Sequence, residues 1–401
     1  MIDPPLLTPE HEAQIRALVH VTPAMLRYSG TMAALSVLFD VIGIALPLAV
    51  LATGMAAKID VWTSRRTRLI AIRAALWWTA FRALRFVLLF PLAWYASYVL
   101  PHRYGLSAQS VAAWFGDTGK GWAVNTLIGA LVAALVVTLI HRAPRRWPMW
   151  LATLSVPLIA ASIFAAPLLI DPLFNKFTPL PAASPLHAPI EALARRAGIG
   201  DAEIFVVDKS RQTNATNAYV TGLGSSSRIV IWDTLIAKMT PDEVQAVVAH
   251  EIGHYAERHV PIGFALAVAA LFVALPLVRL ASLALLGRYG AHWGITDLAQ
   301  PAAIPVLLVA ASLLGLVVAP ISAAGSRYIE HRADAYGLAL TGNRAAAACC
   351  YIALSRENLS DPYPPLWLRL LLDHPPLAER IDYALRGRPN ELWPVPPAGL
   401  R

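Results

Sequence analysis

Six runs of about twenty predominantly apolar residues, each long enough to cross the hydrocarbon core of a bilayer, decide what this chain can fold into. They lie at 31–54, 76–100, 122–140, 148–170, 260–284 and 302–324. Backbone groups at membrane depth have no water to bond, so such runs must satisfy themselves as helices. The expected fold is therefore mainly α, a multi-span membrane helical bundle of about six spans. With 57% hydrophobic and 14% charged residues, the 401-residue chain is too apolar for a soluble enzyme of its size. The net charge is +8, but the basic residues cluster between apolar runs, as in loops flanking spans. That pattern excludes a nucleic-acid partner and makes the lipid bilayer the first partner implied. Asp40 falls in the first run and Arg82 and Arg85 in the opening of the second. Ionisable groups at that depth face a bundle interior or a watery cavity, although for the arginines snorkelling to the interface serves equally.

The remaining segments set the organisation. Residues 1–30 form an N-terminal amphipathic segment with Asp3, Glu10, Glu12, Arg16 and Arg27 but no cleavable signal pattern, so the first span is expected to serve as an uncleaved insertion signal. Spans one to four occupy 31–170, an extramembrane segment 171–259, spans five and six 260–324, a second extramembrane segment 325–385, and a proline-rich, loosely ordered tail 386–401. Cys349 and Cys350 are adjacent, which neither staples a fold nor gives a zinc-ribbon spacing. In the first extramembrane segment, "SPLHAPIEALARRAGIG" reads as a helix capped by Ser184 and closed by glycine. "EIFVVD" (203–208) reads as a strand, and "AYVTGLGSSSRIVIWD" (218–233) as a hairpin.

One stretch carries chemistry. In "TPDEVQAVVAHEIGHYAERH", Thr240 as N-cap, Pro241 at the first helical position and Glu243 three residues after the cap predict a helix. On it His250 and His254 share a face, with Glu251 beside them. Two imidazoles so placed suit zinc, and a catalytic zinc keeps a position open for water. A surface helix with these residues in register by chance is the alternative. His259 does not extend the motif to a metzincin, because that pattern needs glycine at 257 and histidine at 260, where this chain has Glu257 and Val260.

The third ligand follows from topology. The HExxH ends six residues before the fifth run, and residue 330 comes six after the sixth, so an up-and-down hairpin returns 330 to the level of 254. Of Glu330, His331 and Asp334 there, Glu330 reads as the ligand and Asp334, four residues on, as a carboxylate accepting a ring N–H from a ligating histidine. Charges that merely solvate a helix leaving the membrane are the alternative.

At this point the chain resembles the type I CAAX prenyl proteases, integral-membrane zinc metalloendopeptidases, over about residues 83–385. The likeness rests on "LPHRYGLSAQS" (100–110), "IDPLFNKFTPL" (170–180), "TNAYVTGLGSSSRIVIWDTLI" (216–236), "HEIGH" (250–254), "SRYIEHRADAYG" (326–337) and "DHPPLAERI" (373–381). The resemblance implies His250, His254 and Glu330 as ligands of one Zn2+ per chain, Glu251 as catalytic base, and a small α+β zinc protease domain. It also implies helices enclosing a water-filled chamber that Asp40, Arg82 and Arg85 can face. Eukaryotic members typically have seven spans and a longer tail, so the chamber is expected to be less completely closed here.

The expected reaction is hydrolysis of a peptide bond by metal-activated water, with Glu251 taking the proton and passing it to the leaving amine. His374 is the candidate oxyanion donor, assisted by Asn217, with Arg380 structural. A histidine capping the helix after Pro375 and Pro376 is the equal alternative. Asn217, Ala218, Tyr219 and Val220 are the candidate strand edge onto which an extended peptide or protein substrate adds, against an ordinary hairpin strand. Removal of the C-terminal tripeptide from a prenylated cysteine is implied by the resemblance alone. A general endopeptidase for damaged membrane proteins needs only the same site. A catalytically silent scaffold with structural zinc conflicts with a three-ligand site beside a glutamate, because structural sites are normally closed by four protein ligands. Orientation divides the evidence. Lys58, Arg65, Arg66, Arg68, Arg73, Arg142, Arg145 and Arg146 lie in loops opposite the zinc side, whose loop 101–121 has Arg103 and Lys120. The positive-inside rule thus puts the site outside the cytoplasm, whereas the resemblance implies, and the expectation follows, a cytoplasmic one.

Overall fold

A computed structural model describes residues 8–222 and 227–387; the expected tail falls almost wholly outside them. The chain opens with α1 (Pro9–Val19), α2 (Pro23–Ala52), α3 (Met55–Ser64), α4 (Ile70–Trp94), α5 (Leu100–Arg103), α6 (Val111–Arg142) and α7 (Trp147–Ala165). A π-helical turn joins α4 to α5, so the second span runs unbroken over Ile70–Arg103. Past α7 a second such turn, Ala166–Ile170, contains Pro167, and the helix bends by 48° there; proline removes a backbone donor and crowds the preceding turn. Then come β1 (Phe177–Pro179), α8 (His187–Arg196), β2 (Glu203–Val207), β3 (Ala218–Thr221), β4 (Arg228–Trp232), α9 (Asp233–Lys238), α10 (Pro241–Ala256), α11 (His259–Trp293), α12 (Ile304–Thr341), α13 (Arg344–Glu357), α14 (Leu366–Arg369) and α15 (Leu377–Arg386). Among the described residues, five helices are long and apolar enough to cross a membrane, and the bent pair, read as one span, makes a sixth. The protein is an integral multi-pass membrane protein, and its spans run longer than their apolar runs because they continue as helix beyond the lipid.

The spans pack pairwise, α4 on α6, α7 on α11, and α2 and α11 on α12. At the end away from the protease segments, Leu51, Trp77, Ile140, Trp147 and Val306 form one core with residues 293–304. At the other end the two extramembrane segments and α1 share a second core, in which Ile15, Ile190, Ile229, Val248, Ile252, Leu340 and Ile381 are buried. The sheet order is β1-β2-β4-β3, with β2 and β4 parallel and the other pairs antiparallel. The hairpin is β3–β4; β1 was not legible because three residues ending in proline carry no alternation. Ser184 does not cap α8: the N-cap is Leu186, and Ser184 instead forms the turn before it, where its carbonyl accepts from His187 N at 3.0 Å. The loop after α5 is tied to the sheet domain, with Asn214 N donating to Leu106 O and Ser107 Oγ to Gln212 O, both at 2.8 Å.

Candidate metal centre and active-site cavity

Helix α10 starts where its local chemistry requires. Thr240 accepts from Glu243 N and the Glu243 carboxylate accepts from Thr240 N at 2.8 Å, a complete capping box. The helix then crosses α12 at two glycines. A Cβ on Gly337 would stand 2.9 Å from His250 N, and one on Gly253 3.0 Å from Ala333 O. At Gly337 only hydrogen lets the backbones approach this closely, and at Gly253 a Cβ would force Ala333 back by a few tenths of an ångström. Neither glycine was singled out from the sequence, although both sit inside the quoted motifs.

The crossing brings three lone-pair donors together. His250 Nε2 lies 3.2 Å from His254 Nε2 and 3.3 Å from Glu330 Oε2, and His254 Nε2 lies 3.4 Å from Glu330 Oε1. Three ligand atoms on a tetrahedral zinc bonded at about 2.0–2.1 Å stand roughly 3.3 Å apart, so the donor set fits that ion. Glu330 Oε2 is buried and accepts no aligned hydrogen bond, as expected of an oxygen turned toward a cation. Glu330 and Asp334 are both buried and do not solvate the helix.

Each histidine is held from behind. His250 Nδ1 lies 2.8 Å from Asp334 Oδ1, and Asp334, 1% exposed, accepts from Tyr351 Oη at 2.6 Å and from Arg380 Nε and Nη2 at 3.0 and 2.6 Å. His254 Nδ1 lies 3.0 Å from His259 Nδ1. A His254 that offers its Nε2 lone pair carries its proton on Nδ1, and His259 is placed to accept it. Sequence reasoning tested His259 only as a ligand and missed this contact. Arg258, left-handed at φ 56° between α10 and α11, turns the chain so that His259 folds back. The electrostatics match a cation site. Burial and the neighbouring Arg380 guanidinium oppose charge on His250, but the negative Asp334 and Glu330 carboxylates beside its ring outweigh them and draw a proton on; a divalent ion would satisfy the same negative charge. Burial holds His254 down to about 3, a neutral imidazole, and pushes Glu251 up to about 7.

Glu251 and His250 line a cavity of about 830 Å3 that also receives Asn217, His374, Arg380, the first turns of α2 and the chain from Asn358 to Leu377. His374 does not cap α15, whose N-cap is Pro376 with no side-chain bond; its Nε2 lies 3.4 Å from Glu330 Oε1 and its Nδ1 2.8 Å from Asp373 Oδ1. Asn217 reaches the cavity just before β3, while its Oδ1 accepts from Ala218 N at 2.8 Å. Ala218, Tyr219 and Val220 lie in β3, which among the described residues is an edge strand paired with β4 alone. Asn358, also missed, closes the edge one step earlier by accepting from Thr216 N at 2.9 Å and donating to Thr216 O.

Residues 182–388 match Peptidase family M48, and residues 22–176 match "CAAX prenyl protease N-terminal, five membrane helices". The chain is 37% identical over 303 residues to the "Uncharacterized metalloprotease YhfN" of Bacillus subtilis, spanning 73% of this chain and 69% of that one. It is 30% identical over 321 residues to "CAAX prenyl protease 1" of Saccharomyces cerevisiae, spanning 75% and 70%. The crystal structure of S. mikatae Ste24p is similar with a TM-score of 0.81 at 26% identity, over 95% of this chain and 91% of that one.

Proposed function

The chain belongs to peptidase family M48 and is a membrane metalloendopeptidase, and from that premise we propose that it binds one zinc ion and cleaves prenylated peptides after the modified cysteine, releasing the C-terminal tripeptide. The observation that carries the reading is the trio of donor atoms 3.2–3.4 Å apart with Glu251 beside them in the wall of a cavity. His250, His254 and Glu330 would hold the ion. When bound, it would polarise the scissile carbonyl and bring the pKa of water to about 7. The remaining steps fall to the chain's own residues. Glu251 accepts the proton of the attacking water and returns it to the leaving amine. His374, exposed toward the cavity next to Glu330, donates to the developing oxyanion, and Asn217 assists at the strand end. An extended substrate adds along Ala218–Val220, where main-chain bonds set which peptide bond is presented. Asp334, backed by Arg380 and Tyr351, fixes the ring of His250. This reading places the site on the cytoplasmic side, against the arginine bias of the far loops; reporter fusions at residue 143 and after 390 test it.

The test offers the purified protein a peptide ending in a farnesylated cysteine plus three residues, the same peptide unprenylated, and an unfolded membrane-protein segment. Preference for the first is expected, since each buried methylene of the farnesyl chain contributes about 0.8 kcal/mol. Equal cleavage of all three supports the general membrane endopeptidase instead. Glu251→Gln should retain about one zinc per chain and lose about 10²–10⁴-fold in rate. Cleavage of none by the zinc-loaded wild type, or undiminished activity of the variant, overturns the assignment.

A further inference from the structure

Between α13 and α15 lies an apolar surface that none of the spans accounts for. Leu366, Trp367, Leu370 and Leu371 are between 44% and 65% exposed. They fall as two adjacent pairs a helical turn apart, on a turn that α14 starts and the bonds Leu370 N to Leu366 O and Leu372 N to Leu368 O extend. Single exposed leucines are ordinary, but four large apolar side chains on one side of one turn form a patch that marks an interaction surface.

Two contacts fix the height of this patch. Arg327 of α12 donates to Arg369 O and Leu372 O, both at 2.9 Å. It stands six residues past Ile321, a residue of the sixth apolar run that is 72% exposed, and six residues of helix rise only about 9 Å. From the other side, Leu26, Met32 and Ala33 in the opening of α2 line the same cavity as Trp367 and Leu368. The patch therefore stands, along the helix axis, just past the apolar run 302–324 of the sixth span, at the level where that span leaves its run, with Trp367 at its edge toward the cavity. Tryptophan and leucine on a short surface helix are the side chains that settle at the boundary between headgroups and acyl chains.

We propose that Leu366, Trp367, Leu370 and Leu371 seat in the interfacial layer of the bilayer leaflet on the metal side, so that this wall of the catalytic cavity stands at membrane level. A substrate segment carrying a lipid chain could then pass from the leaflet to the cavity without crossing water.

Depth measurement tests this without requiring catalysis, so it stands or falls apart from the proposed reaction. Cys349 is exposed and is replaced by serine; Cys350 is buried and stays. Into this full-length background a single cysteine is placed at Leu371, at Ile321 as a membrane reference or at Asp201 as an aqueous one, labelled with an environment-sensitive fluorophore and reconstituted in phosphatidylcholine vesicles containing lipids spin-labelled near the headgroup or deep in the chain. The label at 371 should be quenched at least twofold more than that at 201, and more by the shallow than by the deep quencher. Quenching no greater than at 201 overturns the proposal. So does shielding from aqueous iodide without lipid quenching, which would mean that the patch is covered by another part of this chain or by a second copy.

Discussion

On one wall of the cavity α10 and α12 cross at glycines and bury the charged groups that face the metal centre. On the other, the turns from Asp361 to Pro376 carry His374 with its side chain 57% exposed and its partner Asp373 more exposed still. Both walls contribute polar groups to the same 830 Å3 cavity, yet they are built differently. The metal wall is fixed several times over: Asp334 alone receives four hydrogen bonds, from His250, Tyr351 and twice from Arg380. The opposite wall is tied more sparsely per residue, through two carbonyls to Arg327, through Arg369 to Glu379 and through Tyr363 Oη to Glu12 O, and none of these bonds reaches His374. Ligand geometry tolerates little displacement, whereas a surface that receives varied peptides gains from adjustment. On the proposed function, burial divides the site into a half that would make the reagent and a more exposed half that would take the substrate.

The largest test of that division is Arg380→Leu. The guanidinium is buried against Asp334, and removing one partner of a buried pair leaves the other charge uncompensated. A loss of about 3–5 kcal/mol of stability is expected, read by denaturant titration in detergent micelles, with weaker metal binding besides. Asp373→Asn on the opposite wall should shift stability by no more than about 0.5 kcal/mol. Similar losses in the two variants would erase the distinction between the walls.

Gly337→Ala probes the crossing itself. Its methyl would lie 2.9 Å from His250 N and 3.1 Å from His250 Cα, backbone atoms that cannot rotate away. About 1–3 kcal/mol of destabilisation is expected, with reduced zinc affinity because the displaced atoms carry a ligand. Gly325→Ala, on the same helix with nothing near its Cβ, should be neutral or gain up to about 1 kcal/mol from helix propensity. A Gly337→Ala variant as stable as this control would show that the helices can slide without disturbing the site.

Which parts were legible beforehand follows the same line. Lipid-length runs and the Thr240 box are local signals, and they placed the spans and the HExxH helix; the hairpin argument brought Glu330 to the level of His254 without any contact being known. What could not be read depends on long-range packing. Tyr351 reaches Asp334 from another helix. His259 meets His254 only because Arg258 adopts a left-handed conformation, which for a residue other than glycine nothing in the local sequence announces. Ser184 looked like a cap, but the turn in front of α8 begins the helix two residues later. Arg380 read as structural; its bonds to Asp334 and its 3.2 Å approach to His250 Nδ1 show it supporting the metal wall.

The smallest stability effect and the sharpest test of the comparison belong to His374→Gln. This side chain is exposed and its contacts are Asp373, itself exposed, and Glu330 at 3.4 Å. Replacing it should change stability by no more than about 0.5 kcal/mol. If its role is to donate to an oxyanion, kcat should nevertheless fall by about 10²–10³-fold, as when one such donor is lost elsewhere, while zinc content stays at its wild-type level. Glutamine keeps a donor but not a ring, so part of the loss should be spared relative to His374→Ala. The opposite pattern, in which zinc is lost and activity falls in proportion, would mean that His374 acts through Glu330 to hold the ion. It would then belong to the metal wall despite its exposure, and burial would no longer separate the groups that make the reagent from those that meet the substrate.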